Sequence, residues 1–230
     1  MKTYHITTHA LNVRSHPSLK GKIIGVLTYG TTVTALQTSE DQKWLQLQYT
    51  KHGTTKTGWS SLRYLQAVPP EGLLQETDPP WLRTALGELG VREGVGTENH
   101  PRVLQYLQSC ERLPADLQAT DATPWCSAFV NWCMEQAGVE GTNSAWARDW
   151  LHWGRTITKP RRGDVVVLSR GSGGHVGFYW SGTAKTLQVL GGNQKDAVSI
   201  APYSVKRLLG YRRGTGRWAV CSCCGQPERV

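Results

Sequence analysis

The sequence predicts an α+β protein: a small β-barrel in front, then a domain whose helices come first and whose antiparallel sheet comes last. Three patterns carry this. Residues 1–68 hold short alternating runs with glycine turns between them, residues 81–153 repeat apolar residues at helical spacing, and after residue 160 the strand period returns. Between barrel and helices lies "AVPPEGLLQETDPP", with four prolines and three acids in fourteen residues, which reads as a linker. The expected organisation is a barrel over 1–68, a linker over 69–80, a second domain over 81–213 and a cysteine-containing tail over 214–230.

In the front segment, "KIIGVLTYGTTVTAL" places a turn at Gly30 between two β-branched runs. "KWLQLQY" alternates strictly, with Trp44, Gln46 and Gln48 on one face and Leu45, Leu47 and Tyr49 on the other. A turn through "TKHGTTKTG" leads to "WSSLRYLQ". Short strands this closely spaced argue for a small barrel. Trp44, Trp59 and Tyr64 either fill its core, which small barrels need, or present a binding surface.

The helical region opens at "PPWLRTALGELG", with Pro80 suited to a first turn and Gly90 to a stop. "HPRVLQYLQSCERL" repeats Val103, Leu104, Leu107 and Cys110, and "DATPWCSAFVNWCMEQAG" forms a third helix. "NSAWARDWLHWG" gives a fourth, with Trp146, Trp150 and Trp153 at i, i+4 and i+7, a stripe that reads as core. The strands that follow are "DVVVLSR", "HVGFYWSG", "TLQVLGGN" and "LLGYRR".

Net charge is +9, unevenly spread: residues 1–68 carry eight Lys or Arg against two acids, so +6 lies in the front segment. Such a segment suits a polyanionic partner. Nucleic acid is disfavoured, because the basic residues are dispersed among Thr and Gly without a nucleic-acid motif. No run of apolar residues reaches membrane-spanning length, so no membrane insertion is expected. "MKTYHITTHALNVRSH" lacks the apolar core of a signal peptide, so synthesis is expected in the cytoplasm, without one. The six cysteines show no disulfide spacing. Cys221, Cys223 and Cys224 crowd the tail but lack a matching second pair for zinc, so no metal or other cofactor is expected.

Nucleophilic cysteine chemistry needs a thiolate, a base and a group that fixes the base's tautomer. Cys126 follows Pro124 and Trp125 at a helix start, where unpaired N–H groups favour a thiolate and can face an oxyanion. Cys133, two turns on, reads as core. Of seven histidines, His175 opens a strand directly after the glycine-rich "RGSGG". For the third member, Asn193 ends the neighbouring strand, with Gln194 and Asp196 as weaker candidates and Asp164 as a competitor or a turn acid.

These residues resemble two known families. "ALNVRSHPSLKGKIIGVLTYGTTVTAL", "WLQLQY" and "KTGWSSLRYL" look like a bacterial SH3-like domain, which implies a cell-wall-binding barrel with Trp44, Trp59 and Tyr64 as candidate contacts. "TPWCSAFVNWCMEQAG", "PRRGDVVVLSR", "GGHVGFYW" and "VLGGNQKDAVSIAPY" resemble the papain-like cell-wall hydrolases of the NlpC and CHAP type. That resemblance implies Cys126 as nucleophile, His175 as base and Asn193 as orienting residue, with Trp125, Ser127, Glu93 and Gln194 around the oxyanion and cleft. Trp125 stands where many of that group carry Asp or Tyr. The implied substrate is a stem-peptide amide of peptidoglycan, cut by an endopeptidase. An N-acetylmuramoyl-L-alanine amidase with the same triad and a non-catalytic wall-binding protein are the alternatives. A monomeric phage lysin, or an antibacterial effector with an immunity protein as partner, fits action in the periplasm or wall.

Overall fold

Alternation in the front segment becomes a seven-stranded antiparallel sheet. Its strands are β1 (Thr3–Ile6), β2 (Ala10–Arg14), β3 (Ile23–Thr28), β4 (Thr32–Thr38), β5 (Trp44–Lys51), β6 (Thr54–Ser61) and β7 (Leu65–Ala67), in the order β3-β2-β6-β5-β4-β1-β7. This computed structural model describes residues 2–6, 8–51, 53–68, 72–94, 98–214, 218–220 and 227–229. The chain divides into two units, Met1–Pro70 and Glu71–Val230.

In the first unit, Leu45, Leu47 and Tyr49 of β5 are buried with Ile6, Leu11, Val13, Leu27, Val33 and Leu65, as the alternation requires. The opposite face of β5 carries Trp44, and Trp59 of β6 stands opposite Gln46 in register. Trp44 is buried, Trp59 half-buried, and Tyr64 exposed. Gly30 takes a left-handed φ of 75° at the β3–β4 turn, a conformation glycine reaches without steric cost.

The second unit packs helices on a six-stranded antiparallel sheet. The helices are α1 (Pro80–Gly87), α2 (Pro101–Gln108), α3 (Ala115–Gln118) and α4 (Cys126–Gln136). The strands are β8 (Arg155–Ile157), β9 (Val165–Arg170), β10 (Gly173–Gly182), β11 (Thr186–Gly191), β12 (Ser199–Ser204) and β13 (Leu208–Arg213), ordered β12-β11-β10-β9-β13-β8. Pro80 and Pro101 stand at the first turns of α1 and α2, where their missing N–H costs nothing. On β9, Val165 and Val167 enter the core under the helices, while Val166 and Leu168 join a second cluster with Leu187, Val189 and Tyr211. Both faces of that strand are covered, which explains its unbroken valine run.

Residues 73–79 are tied to this unit. Arg162 donates to both carboxylate oxygens of Asp78 at 2.8 and 2.7 Å and to the Leu73 carbonyl at 2.7 Å, and its guanidinium lies 3.5 Å from the Trp180 ring centre.

One expected helix differs. "NSAWARDWLHWG" forms a 3-10 turn at Ala147–His152 rather than an α-helix. At three residues per turn Trp150 and Trp153 share a face, their ring centres 5.2 Å apart, while Trp146 is turned off it. Trp150 is buried, its N–H donating to the Ser127 hydroxyl at 2.8 Å, whereas Trp146 is 74% exposed. Residues 218–220 and 227–229 pair as a short hairpin, and Cys221, Cys223 and Cys224 lie outside the described residues.

Candidate active site

Helix α4 begins at Cys126, with Trp125 as an N-cap that supplies no side-chain cap. No side chain at the cap position takes the first N–H groups of the helix, which lie beside the Cys126 sulfur. Backbone hydrogen bonds from Val176, Ser127 and Cys126 itself, with the positive charge of Arg170, work to lower the thiol pKa. Burial is the larger effect, and the net shift is upward. Cys133 is fully buried and its thiol is driven far higher. Cys110 is pushed up to about 11, chiefly by burial. All three are free thiols.

His175 lies on β10, next to Val176, whose backbone bonds to Cys126. The imidazole is fully buried. Its Nε2 lies 3.2 Å from Gln194 Oε1, and its Nδ1 has no hydrogen-bond partner among the described residues. The tautomer follows from Gln194. The amide Nε2 of Gln194 donates towards the carbonyls of Ser199 at 2.5 Å, Gly191 at 3.1 Å and Val189 at 3.3 Å. Carbonyls only accept, so the group facing them is the NH₂, whose two hydrogens they share, and Oε1 faces the imidazole and accepts its Nε2 proton. Nδ1 is left as a bare lone pair. Burial lowers the His175 pKa to about 4, with the Gln194 bond opposing and Arg170 and Arg207 adding to the fall. The empty pair is thus a neutral thiol and a neutral imidazole.

Among the described residues the bond to the His175 ring comes from Gln194 and not from Asn193. No hydrogen bond of its side chain is recorded among the described residues; its backbone carbonyl accepts from Arg170 Nη1 at 3.4 Å. Its φ is 53°, and Lys195 and Asp196 are also left-handed, at 55° and 60°. Asparagine tolerates that region better than most residues. The turn it starts delivers Gln194 back under the sheet, where the Gln194 N–H bonds to the Ala197 carbonyl at 2.9 Å.

The remaining candidates separate by role. Trp125 is buried, and its indole N–H donates to Glu93 Oε1 at 2.7 Å. Glu93 has its pKa raised mainly by burial, against the Trp125 bond and with Asp196 and Asp121 adding to the rise. The Ser127 hydroxyl is engaged by the Ser144 carbonyl, to which it donates at 2.6 Å, and by the Trp150 indole, leaving its backbone N–H as the oxyanion candidate. Asp164 is held by Arg213 at 2.7 and 2.6 Å and accepts from the Arg161 N–H at 2.6 Å, as a structural turn acid. Sequence reasoning missed Tyr203, whose ring stacks on His175 at 5.2 Å. It sits on β12, where Pro202 masks the strand pattern; β12 is an edge strand, and edges tolerate proline.

Two family models match segments of this chain. The family model of the bacterial SH3 domain matches residues 9–66, and that of the CHAP domain matches residues 118–193. The CHAP segment contains Cys126, His175 and Asn193. The two matches support a peptidoglycan-cleaving hydrolase with a bacterial SH3 domain in front. Among solved structures, NlpC2 from Trichomonas vaginalis matches with 14% identity and a TM-score of 0.36, covering 93% of this chain and 72% of that one. NlpC1 from the same organism matches with 15% identity and a TM-score of 0.35, covering 93% and 69%. No curated protein matches the sequence. Among the described residues no helix is long and apolar enough to cross a membrane.

Proposed function

We propose that this protein is a cysteine endopeptidase of peptidoglycan stem peptides, with Cys126 as nucleophile and His175 as base. Gln194 orients the imidazole, and Asn193 shapes the turn that holds Gln194. The observation that carries this reading is the His175–Gln194 bond at 3.2 Å with Nδ1 left buried and unpartnered. A buried lone pair without a donor is costly, and it suits a group that takes a proton during reaction.

As Cys126 Sγ attacks the amide carbonyl, its proton passes to His175 Nδ1, and the positive charge of the imidazolium is balanced by the oxyanion that forms on the carbonyl. The backbone N–H groups at the start of α4 receive the oxyanion. His175 then returns the proton to the departing amine, leaving a thioester on Cys126. Water attacks the thioester, His175 accepts its proton, and release of the acid restores the thiol. Tyr203 covers one face of the imidazole throughout. The SH3 unit, with its net charge of +6, raises local enzyme concentration on an anionic wall through half-buried Trp59 and exposed Tyr64, whereas Trp44, also expected as a contact, is buried and fills the barrel.

The amidase alternative uses the same residues on the bond between sugar and peptide. Mass analysis of the new amino termini in a peptidoglycan digest separates the two. A terminus within the stem supports the endopeptidase, and L-Ala freed from muramic acid supports the amidase. The lysin and effector settings both suit this chemistry, the second calling for an immunity protein.

A further inference from the structure

Most arginines of the second unit that have acidic partners spend them on structure. Arg162 holds Asp78, Arg213 holds Asp164, and Arg102 lies 3.2 Å from Glu88. Arg170 and Arg207 differ: neither has a carboxylate partner among the described residues, and both stand at the catalytic pair. Arg170 ends β9 and pairs in register with Gly173, two residues before His175. Its one side-chain bond among the described residues is the 3.4 Å contact to the Asn193 carbonyl. Arg207 comes from the turn Val205–Arg207, and its Nε donates to the Ser169 carbonyl at 2.8 Å, beside Arg170 in sequence. Its guanidinium lies 5.0 Å from the Tyr203 ring, which in turn stacks on His175.

Two uncompensated cations beside an imidazole that must accept a proton oppose the reaction in the empty site. Both act on His175, and Arg170 also acts on Cys126. A bound anion between them removes that opposition as substrate arrives. Guanidinium groups recognise carboxylates by paired N–H bonds, and among the described residues each retains unbonded N–H groups for the purpose.

We propose that Arg170 and Arg207 form a subsite for a free carboxylate of the substrate peptide, next to the scissile amide. The proposal rests on the peptide-hydrolase reading for its ligand but not for its test. The full-length Cys126→Ala protein is titrated calorimetrically with synthetic stem pentapeptides in which each free carboxylate in turn is replaced by a carboxamide. One replacement is expected to weaken binding roughly 10- to 100-fold, the range of a charge-assisted hydrogen-bond pair. Adding Arg170→Gln or Arg207→Gln to Cys126→Ala, with unchanged melting temperature, should bring that ratio close to one while leaving the carboxamide peptide's affinity unchanged. The proposal is overturned if no carboxamide replacement alters affinity, if the arginine variants weaken both peptides equally, or if no peptide binds at millimolar concentration. Carboxylate preference in binding without any cleavage of peptidoglycan by the wild-type protein would sink the hydrolase reading and leave the subsite standing.

Discussion

Gln194 and Asn193 are neighbours with opposite expected consequences. In the Gln194→Ala variant the Nε2 proton of His175 loses its acceptor, and the Ser199, Gly191 and Val189 carbonyls lose their donor. A hydrogen bond to a group that becomes charged is worth about 1.5–3 kcal/mol. At 1.36 kcal/mol per factor of ten, kcat/KM should fall roughly 10- to 150-fold. The loss should appear mostly in kcat, because the imidazolium develops during the chemical step. Asn193→Gly keeps the left-handed φ of 53° open and removes only the side-chain amide, so kcat/KM should stay within about threefold. The assay is peptide hydrolysis followed by mass spectrometry, with thermal melting to confirm folding. Nitrogen-15 NMR of His175 should report the Nε2–H tautomer in the wild type and a mixture in Gln194→Ala. Equal losses in the two variants, or a dominant Nδ1–H tautomer in the wild type, would refute the reasoning.

Other outcomes follow from the same contacts. The folded His175 pKa of about 4 lies below the ordinary 6.5, so between these values the unfolded chain binds the extra proton. Stability therefore falls as pH drops from about 6.5 to 4, by about 3 kcal/mol, and His175→Gln should flatten that slope in urea titrations. Cys126→Ser should abolish hydrolysis with little change in melting temperature. Cys133→Ser should keep activity but bury an unpaired hydroxyl, at about 1–3 kcal/mol, lowering the melting temperature by several degrees. Gly192→Ala places a Cβ inside the Trp125 indole and 2.7 Å from Phe129 Cβ, both buried, so a loss of about 1–3 kcal/mol is expected in denaturant unfolding.

Much of this architecture was legible in the sequence because it rests on local periodicity. The alternation of "KWLQLQY" put Leu45, Leu47 and Tyr49 inside, and Pro124-Trp125 marked the start of α4 at Cys126. Features set by tertiary contacts were not legible. Trp146, Trp150 and Trp153 have helical spacing, but the 3-10 winding at Ala147–His152 exposes the first. The choice between Asn193 and Gln194 turns on one left-handed residue, and no spacing rule reports its φ. Tyr203, which stacks on His175, and Arg170 and Arg207, whose charges act on it, come from three separate elements, so nothing in the linear sequence ties them to it.

The central claim is that Cys126 attacks a peptidoglycan amide. Its most direct test is muropeptide analysis of purified peptidoglycan treated with wild-type protein and, in parallel, with Cys126→Ala. The account predicts new amine-bearing fragments with the wild type and an unaltered profile with the variant. Identical profiles from the two proteins, whether both cut or both intact, would contradict it.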